Sequence, residues 1–388
     1  METTATDAAA RCLAHGHGRW VELEATVAPS YTSLPRHILP SITKGAHWWG
    51  ACDDDTSVTR PDTRHIYAWR PTGRGCDALW HDGRLWRPRD LIRALCNASS
   101  RSILFVGDST MAQMYLSLVA IAGVRELRTT SEMRCCWTRH PETARQELLD
   151  AEADLCANLG VSDTSGAADT SGAADTSGSP HSDQRPIGTS TSSPPTAIWP
   201  VVTARFIRNE FILWSDRPGP CSMGYMCEWA SASARADIVV LNRGTHYEND
   251  AAFVKGLNST ISRVAQHGGR IVYVGTQAFI PHCWEHPDPS PVSLREAVLS
   301  ETQAGTPNFH WNEMERQNDI ARRLVAATPN AVYMDTFGAT SFRPGGHMDA
   351  RLHERRDPKE RLVRDCVHWC LPGPIDYLVQ VLMAYLVL

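Results

Sequence analysis

The sequence predicts an α/β protein: a three-layer domain on a mainly parallel sheet, with an irregular N-terminal module packed on it. Two observations carry that expectation. Short, continuous apolar runs recur along the chain, and most are followed by a longer stretch whose apolar residues have helical spacing, the alternation that βαβ units produce. The runs are also apolar at successive positions rather than at every second one, as strands covered on both faces must be.

The elements follow in order. Residues 1–98 lack this alternation and are rich in Trp, Pro and Gly, with Trp48, Trp49, Trp69, Trp80 and Trp86 crowded together. They read as a cover on the sheet, their large rings more often building contacts than sugar platforms. Ser102-Ile103-Leu104-Phe105-Val106 is the first buried strand, bounded by Gly107, and residues 109–122 continue as a helix. Asp237–Leu241 repeats the strand pattern, with a helix at about 251–266, and Arg270–Val274 is a third strand. Trp311–Ala327 reads as a helix, Ala331–Asp335 as a fourth strand and Ile375–Leu386 as a last helix. Pro374 starts that helix, because a proline lacks only an N–H that the first turn leaves unpaired. A hexapeptide beginning at Asp163 repeats from Asp169, and a Ser/Thr/Pro-rich run continues to about Pro195. Such a segment buries too little apolar surface to offset its ordering entropy. It predicts a disordered insertion at about 160–197, inside one domain of residues 99–388.

Composition narrows the function classes. A hydrophobic content of 42% fills a sizeable core, and a net charge of −5 gives a nucleic-acid partner no support. Arg351, Arg355, Arg356, Lys359 and Arg361 alternate with acids, as a solvated surface segment does. No stretch approaches the roughly 20 apolar residues of a transmembrane helix, and residues 1–30 hold no apolar signal-peptide core. Twelve cysteines and the sequons at Asn97 and Asn258 favour an oxidising secretory compartment. The expectation is a secretory protein whose anchor is missing from this chain, with a cytoplasmic location as the alternative. His282-Cys283-Trp284-Glu285-His286 has spacings a metal could use, but no second matching cluster exists. It reads as a disulfide cysteine beside surface histidines, and no bound metal or cofactor is expected.

Two sites carry candidate chemistry. Gly107-Asp108-Ser109 lies where the first strand ends and a helix begins, the carboxyl-end address at which open parallel sheets build their sites. Helix N-terminal N–H groups there can stabilise an oxyanion; equally, Asp108 or Ser109 can simply cap the helix. Far downstream, Asp365 stands three residues before His368. On one turn that spacing lets the acid reach Nδ1 and turn Nε2 toward a serine hydroxyl.

Strand-GDS-helix together with this late Asp-x-x-His resembles the GDSL/SGNH hydrolase superfamily. The longer string from Asp365 through Cys366, His368, Trp369 and Cys370 to Pro372-Gly373 is similar to the trichome-birefringence-like, PC-esterase family of plants. Gly18-Arg19-Trp20-Val21, Trp69-Arg70-Pro71 and Gly75-Cys76-Asp77 resemble that family's N-terminal module, and Val240–Tyr247 its central block. The chain departs from it in carrying Tyr247 where consecutive tryptophans are usual. The resemblance implies an SGNH-like domain with Ser109 as nucleophile, His368 as base and Asp365 as orienter. It implies oxyanion or substrate contacts among Gly107, Asp108, Asn242, Gly244 and His246. It further implies O-acetyl transfer to hydroxyls of a cell-wall polysaccharide or glycan in the Golgi lumen, with acetyl-CoA or another acyl donor as co-substrate. A carbohydrate acetyl esterase and a silent glycan-binding protein are the other expectations.

Overall fold

The structure, a computed structural model, describes residues 18–22, 67–71, 80–81, 84–85, 88–97, 102–124, 128–134, 146–156, 201–214, 227–246, 248–280, 283, 310–347, 366–369 and 373–387. In chain order these form β1 (Gly18–Glu22), β2 (Tyr67–Pro71), β3 (Trp80–His81), β4 (Arg84–Leu85), α1 (Pro88–Asn97), β5 (Ser102–Gly107) and α2 (Ser109–Ile121). Next come β6 (Arg128–Arg134), β7 (Gln146–Asp154), β8 (Thr203–Arg208), α3 (Ala230–Ser233), β9 (Ile238–Leu241) and α4 (Asp250–Gln266). The last are β10 (Arg270–Val274), α5 (Trp311–Ala326), β11 (Ala331–Met334), α6 (Phe337–Thr340) and α7 (Pro374–Val387). The predicted insertion at about 160–197, Trp48, Trp49, Trp86 and the Arg351–Arg361 run lie outside the described residues.

A seven-stranded sheet organises the fold, in the order β11-β10-β9-β5-β8-β7-β6. From β11 to β8 neighbouring strands are parallel; β7 and β6 extend that edge antiparallel. The predicted strands and helices are all present, their ends shifted by a residue or so. The edge β6–β7–β8 is the addition to the expected sheet. β7 reads Gln-Glu-Leu-Leu-Asp-Ala-Glu-Ala-Asp, a composition that favours helix, and strand pairing overrides that local preference.

Alternation along the strands separates two cores. Ile103 and Phe105 of β5 face α1, α2 and α7, whereas Leu104 and Val106 face the side holding α4 and α5. Phe105 meets Tyr115 of α2 edge-on at 5.8 Å, and Tyr115 stacks on Phe206 of β8 at 5.8 Å. Each fully buried ring of this kind contributes roughly 1.5–3 kcal/mol of transfer free energy. α2 is buried on nearly every face, because it lies between the sheet and α7; it is mostly apolar all round, and its buried Gln113 and Ser117 are hydrogen-bonded. A disulfide between Cys96 and Cys156 ties α1 to the chain just after β7.

The strand order also locates the site. After β5 the chain reaches the outer edge, returns through β7 and β8 beside β5, and only then enters β9 on β5's other flank. The carboxyl end of β5 is therefore where the winding changes sides, the place where open α/β sheets leave a crevice.

Candidate active site

Gly107 allows the β5-to-α2 turn to pass close to β9. A Cβ there would stand 2.7 Å from both the Asn242 carbonyl oxygen and the Met111 Cβ. Asp108 is the α2 N-cap, as one reading of the sequence had it, and Ser109 is the first helical residue. Asp108 Oδ1 accepts hydrogen bonds from the Thr110 N–H at 2.9 Å and the Thr110 hydroxyl at 2.7 Å. Its Oδ2 accepts from the Thr245 N–H at 2.8 Å and the Thr245 hydroxyl at 3.2 Å. Burial alone pushes this carboxyl's pKa up, but the facing His246 and the Thr245 and Thr110 donors outweigh it and hold the group below its ordinary value. Gly244, at φ +65°, makes room for this cradle: a Cβ there would fall 1.9 Å from Asp108 Oδ2.

His368 arrives from the far end of the chain. Its Nε2 lies 2.8 Å from Ser109 Oγ, both residues buried. With the ring proton on Nδ1, Nε2 accepts the serine hydroxyl and can take its proton. Asp365 lies outside the described residues. The segment bearing His368 is held from several sides. Cys366 forms a disulfide with Cys283, and that pair packs among Phe279, Trp311 and Phe337. The Trp369 indole N–H donates to Gln277 Oε1 at 2.8 Å, and its ring stacks on His347 at 3.7 Å. The Gln113 side chain bonds both the N–H and the C=O of Trp369.

The strands flanking β5 supply the rest of the surroundings. Asn242 donates to the Val274 carbonyl at 2.9 Å and the Gly275 carbonyl at 3.4 Å, and its Oδ1 accepts from Thr110 at 3.3 Å. Its amide thus serves to knit the ends of β9, β10 and α2. Beyond β8, Glu210 receives Arg208 Nη2 at 3.0 Å, and His246, beyond β9, places Nε2 3.3 Å from the same carboxylate oxygen. β8 and β9 lie on opposite flanks of β5, so this contact passes over the carboxyl end of β5. Glu210's pKa is raised because its burial outweighs the His246 and Arg208 charges. Arg243, buried beside Phe253 at 4.8 Å and ion-paired with Glu248, has its pKa lowered by burial to about 10.

The structure brings Gly107, Asp108, Ser109, Asn242, Gly244, His246 and His368 to one end of the sheet. The sequence reading missed Gln113, Thr245, Glu210, Gln277 and His347. None of them carried a local signal: Gln113 shares α2 with Ser109, Thr110 and Ser117, and its spacing alone does not set it apart. Cys283 is the disulfide cysteine expected of its segment, while His282, Glu285 and His286 lie outside the described residues. Among the described residues, no group of three or more His, Cys, Asp or Glu side chains is arranged to hold a metal ion.

Residues 283–385 match the PC-Esterase family, described as the GDSL/SGNH-like Acyl-Esterase family found in Pmr5 and Cas1p. Among curated proteins, the chain is 47% identical over 76 residues to Protein trichome birefringence-like 19 of Arabidopsis thaliana, covering 20% of this chain and 16% of that protein. It is 33% identical over 79 residues to Protein trichome birefringence-like 23 of the same plant, 20% of this chain and 18% of the relative. Xyloglucan O-acetyltransferase 1 of Populus trichocarpa is 40% identical over 53 residues, 13% of this chain and 12% of the relative. No solved structure matches the chain.

Proposed function

We propose that this chain, whose residues 283–385 match the PC-esterase family, is a serine-dependent O-acetyltransferase acting on hydroxyls of a cell-wall polysaccharide or glycan. The observation that carries the reading is the 2.8 Å contact between His368 Nε2 and Ser109 Oγ at an α2 N-terminus. The similarity to a xyloglucan O-acetyltransferase supports acetyl as the acyl group and a polysaccharide as the acceptor.

In this reading Ser109 Oγ bonds to the carbonyl carbon of an acyl donor while its proton passes to His368 Nε2. The Ser109 N–H, at the helix start, is a donor for the oxyanion. Collapse breaks the bond to the leaving group, which takes the proton from the imidazolium and leaves an acetyl-Ser109 ester. An acceptor hydroxyl then gives its proton to Nε2 as its oxygen bonds to the acyl carbon, and Ser109 leaves reprotonated. Asp365, three residues before His368, is assigned as the acid that orients the imidazole and stabilises its protonated form. Gly107, Asp108, Asn242 and Gly244 build the seat of the nucleophile, and His246 with Glu210 lines the approach. Water in place of the sugar gives an acetyl esterase, the second reading, which the family's description as acyl-esterases favours.

We assign residues 1–98 to an N-terminal module and 99–388 to the catalytic domain. The disulfides Cys96–Cys156 and Cys283–Cys366 support a Golgi-lumen location.

The test is incubation with p-nitrophenyl acetate, with and without xyloglucan and xylan oligosaccharides, read by mass spectrometry. An acetyl group on the Ser109 peptide, then on the sugar, is the expected result. Donor hydrolysis without sugar acetylation selects the esterase. Undiminished turnover by Ser109→Ala overturns the nucleophile assignment.

A further inference from the structure

A 2.8 Å contact between side chains 259 residues apart in sequence needs something to hold it. We infer that Gln113 is the positioning residue of this site, acting through the backbone of Trp369 to seat His368 against Ser109. The inference rests on the reading of those two residues as base and nucleophile.

Gln113 follows Ser109 by four residues on α2, so the two side chains share a face one turn apart. Its fully buried amide makes a reciprocal pair with one residue: Oε1 accepts the Trp369 N–H at 3.1 Å, and Nε2 donates to the Trp369 C=O at 2.7 Å. This is how a neighbouring peptide would bond in an antiparallel ladder, here supplied by a side chain. Because donor and acceptor of the residue directly after His368 are both engaged, the segment seats in one register only. Sliding or rotating it strands two buried backbone groups and a buried amide.

The pattern continues along the helix. Ser117, four residues further, donates to Asp376 Oδ1 at 2.5 Å, while Asp376 Oδ2 accepts the Gly373 N–H at 2.6 Å. Ser109, Gln113 and Ser117 thus form three rungs on one α2 face, meeting His368, Trp369 and Asp376. Gln277, His347 and the Cys283–Cys366 disulfide hold the same segment to other parts of the fold. Gln113 ties it to the helix that carries the nucleophile, so it sets the distance that matters for proton transfer. Displacements near 1 Å between reacting groups lower rates by about 100-fold.

The experiment uses the full chain and Gln113→Met, which keeps side-chain length and packing while removing both hydrogen bonds. Hydrogen exchange of the peptide spanning 366–369 is expected to speed up roughly tenfold, with β5 and β9 peptides unchanged. The acylation rate of Ser109 with p-nitrophenyl acetate is expected to fall roughly 10- to 100-fold, with KM little altered. Unchanged exchange, or faster exchange with an undiminished acylation rate, overturns the inference. If the variant fails to fold, wild-type exchange decides: a Trp369 amide protected as strongly as the α2 amides supports the clamp, and one exchanging like an exposed amide removes it. A wild-type chain that is never acylated sinks the nucleophile reading, and exchange alone then decides whether Gln113 clamps the segment.

Discussion

At the scale of single residues, the site depends on the seat of one carboxylate, Asp108, and on two glycines, Gly107 and Gly244. Gly244→Ala puts a Cβ at φ +65° and 1.9 Å from Asp108 Oδ2, whereas Gly268→Ala meets the same kind of backbone, φ +80°, in open space. Backbone strain alone costs about 1 kcal/mol at either position. The Gly244 variant adds displacement of a buried hydrogen-bonded carboxylate, so a total loss of about 3 kcal/mol is expected against about 1 for Gly268→Ala. Urea unfolding of the two variants measures the difference; equal losses would mean that the contact with Asp108 contributes nothing. Asp108 itself has a folded pKa below its unfolded one. Its contribution is therefore full above about pH 4, the unfolded value, and drains away as pH falls through the lower folded value. Asp108→Asn should be less stable at neutral pH, since an amide cannot accept from both Thr245 and Thr110, and its stability should fall less between neutral pH and about pH 3. Unfolding midpoints across that range check the sign.

Among elements, legibility followed burial. β5, β9, β10 and β11 were readable because both faces are covered, so their residues are apolar in succession. β8 was not: Arg205 and Arg208 interrupt its apolar run, and Arg208 is tolerated inside because Glu210 answers it at 3.0 Å. β7 was hidden by helix-favouring residues whose strand state exists only through pairing with β6 and β8. The site divides in the same way. Ser109 and His368 announce themselves through turn and spacing, but Gln113, Gln277 and His347 matter through contacts between remote segments, which no local pattern encodes. The two described disulfides occupy opposite ends of the sheet, and their removal should separate stability from activity. Cys96 and Cys156 close near the amino end of β8, where Leu155 N–H bonds the Val202 carbonyl. Their double serine variant should lose roughly 2–4 kcal/mol and keep its Ser109 acylation rate in the folded fraction. The Cys283/Cys366 double serine variant should lose stability of the same order and also slow acylation about tenfold or more, because the bridge ends two residues before His368. Equal acylation rates in the two folded variants would show that the bridge is not needed to seat the base.

For the molecule as a whole, the proposed secretory compartment is testable through the sequons at Asn97 and Asn258. Asn97 ends α1 and Asn258 lies within α4, and both are exposed. Thr260, the hydroxyl residue of the second sequon, is buried with its side chain bonded to the Ile212 carbonyl at 2.8 Å. An oligosaccharyl enzyme that must grip the threonine therefore needs that sequon before α4 docks, during translocation. Asn258 is exposed on α4, so a glycan attached there would extend into solvent. Expressed with a secretion leader in a eukaryotic host, the chain should carry glycans at Asn97 and Asn258, seen as a mobility shift that endoglycosidase removes. Asn258→Gln should lose one step of that shift and acylate Ser109 at the wild-type rate. A chain that folds with the two described disulfides closed yet stays unmodified would mean that α1 and α4 form faster than the sequons are read, which would separate the oxidising compartment from the glycan. Loss of acylation in Asn258→Gln would instead place the outer face of α4 in communication with the site, contrary to the layered separation of the two cores.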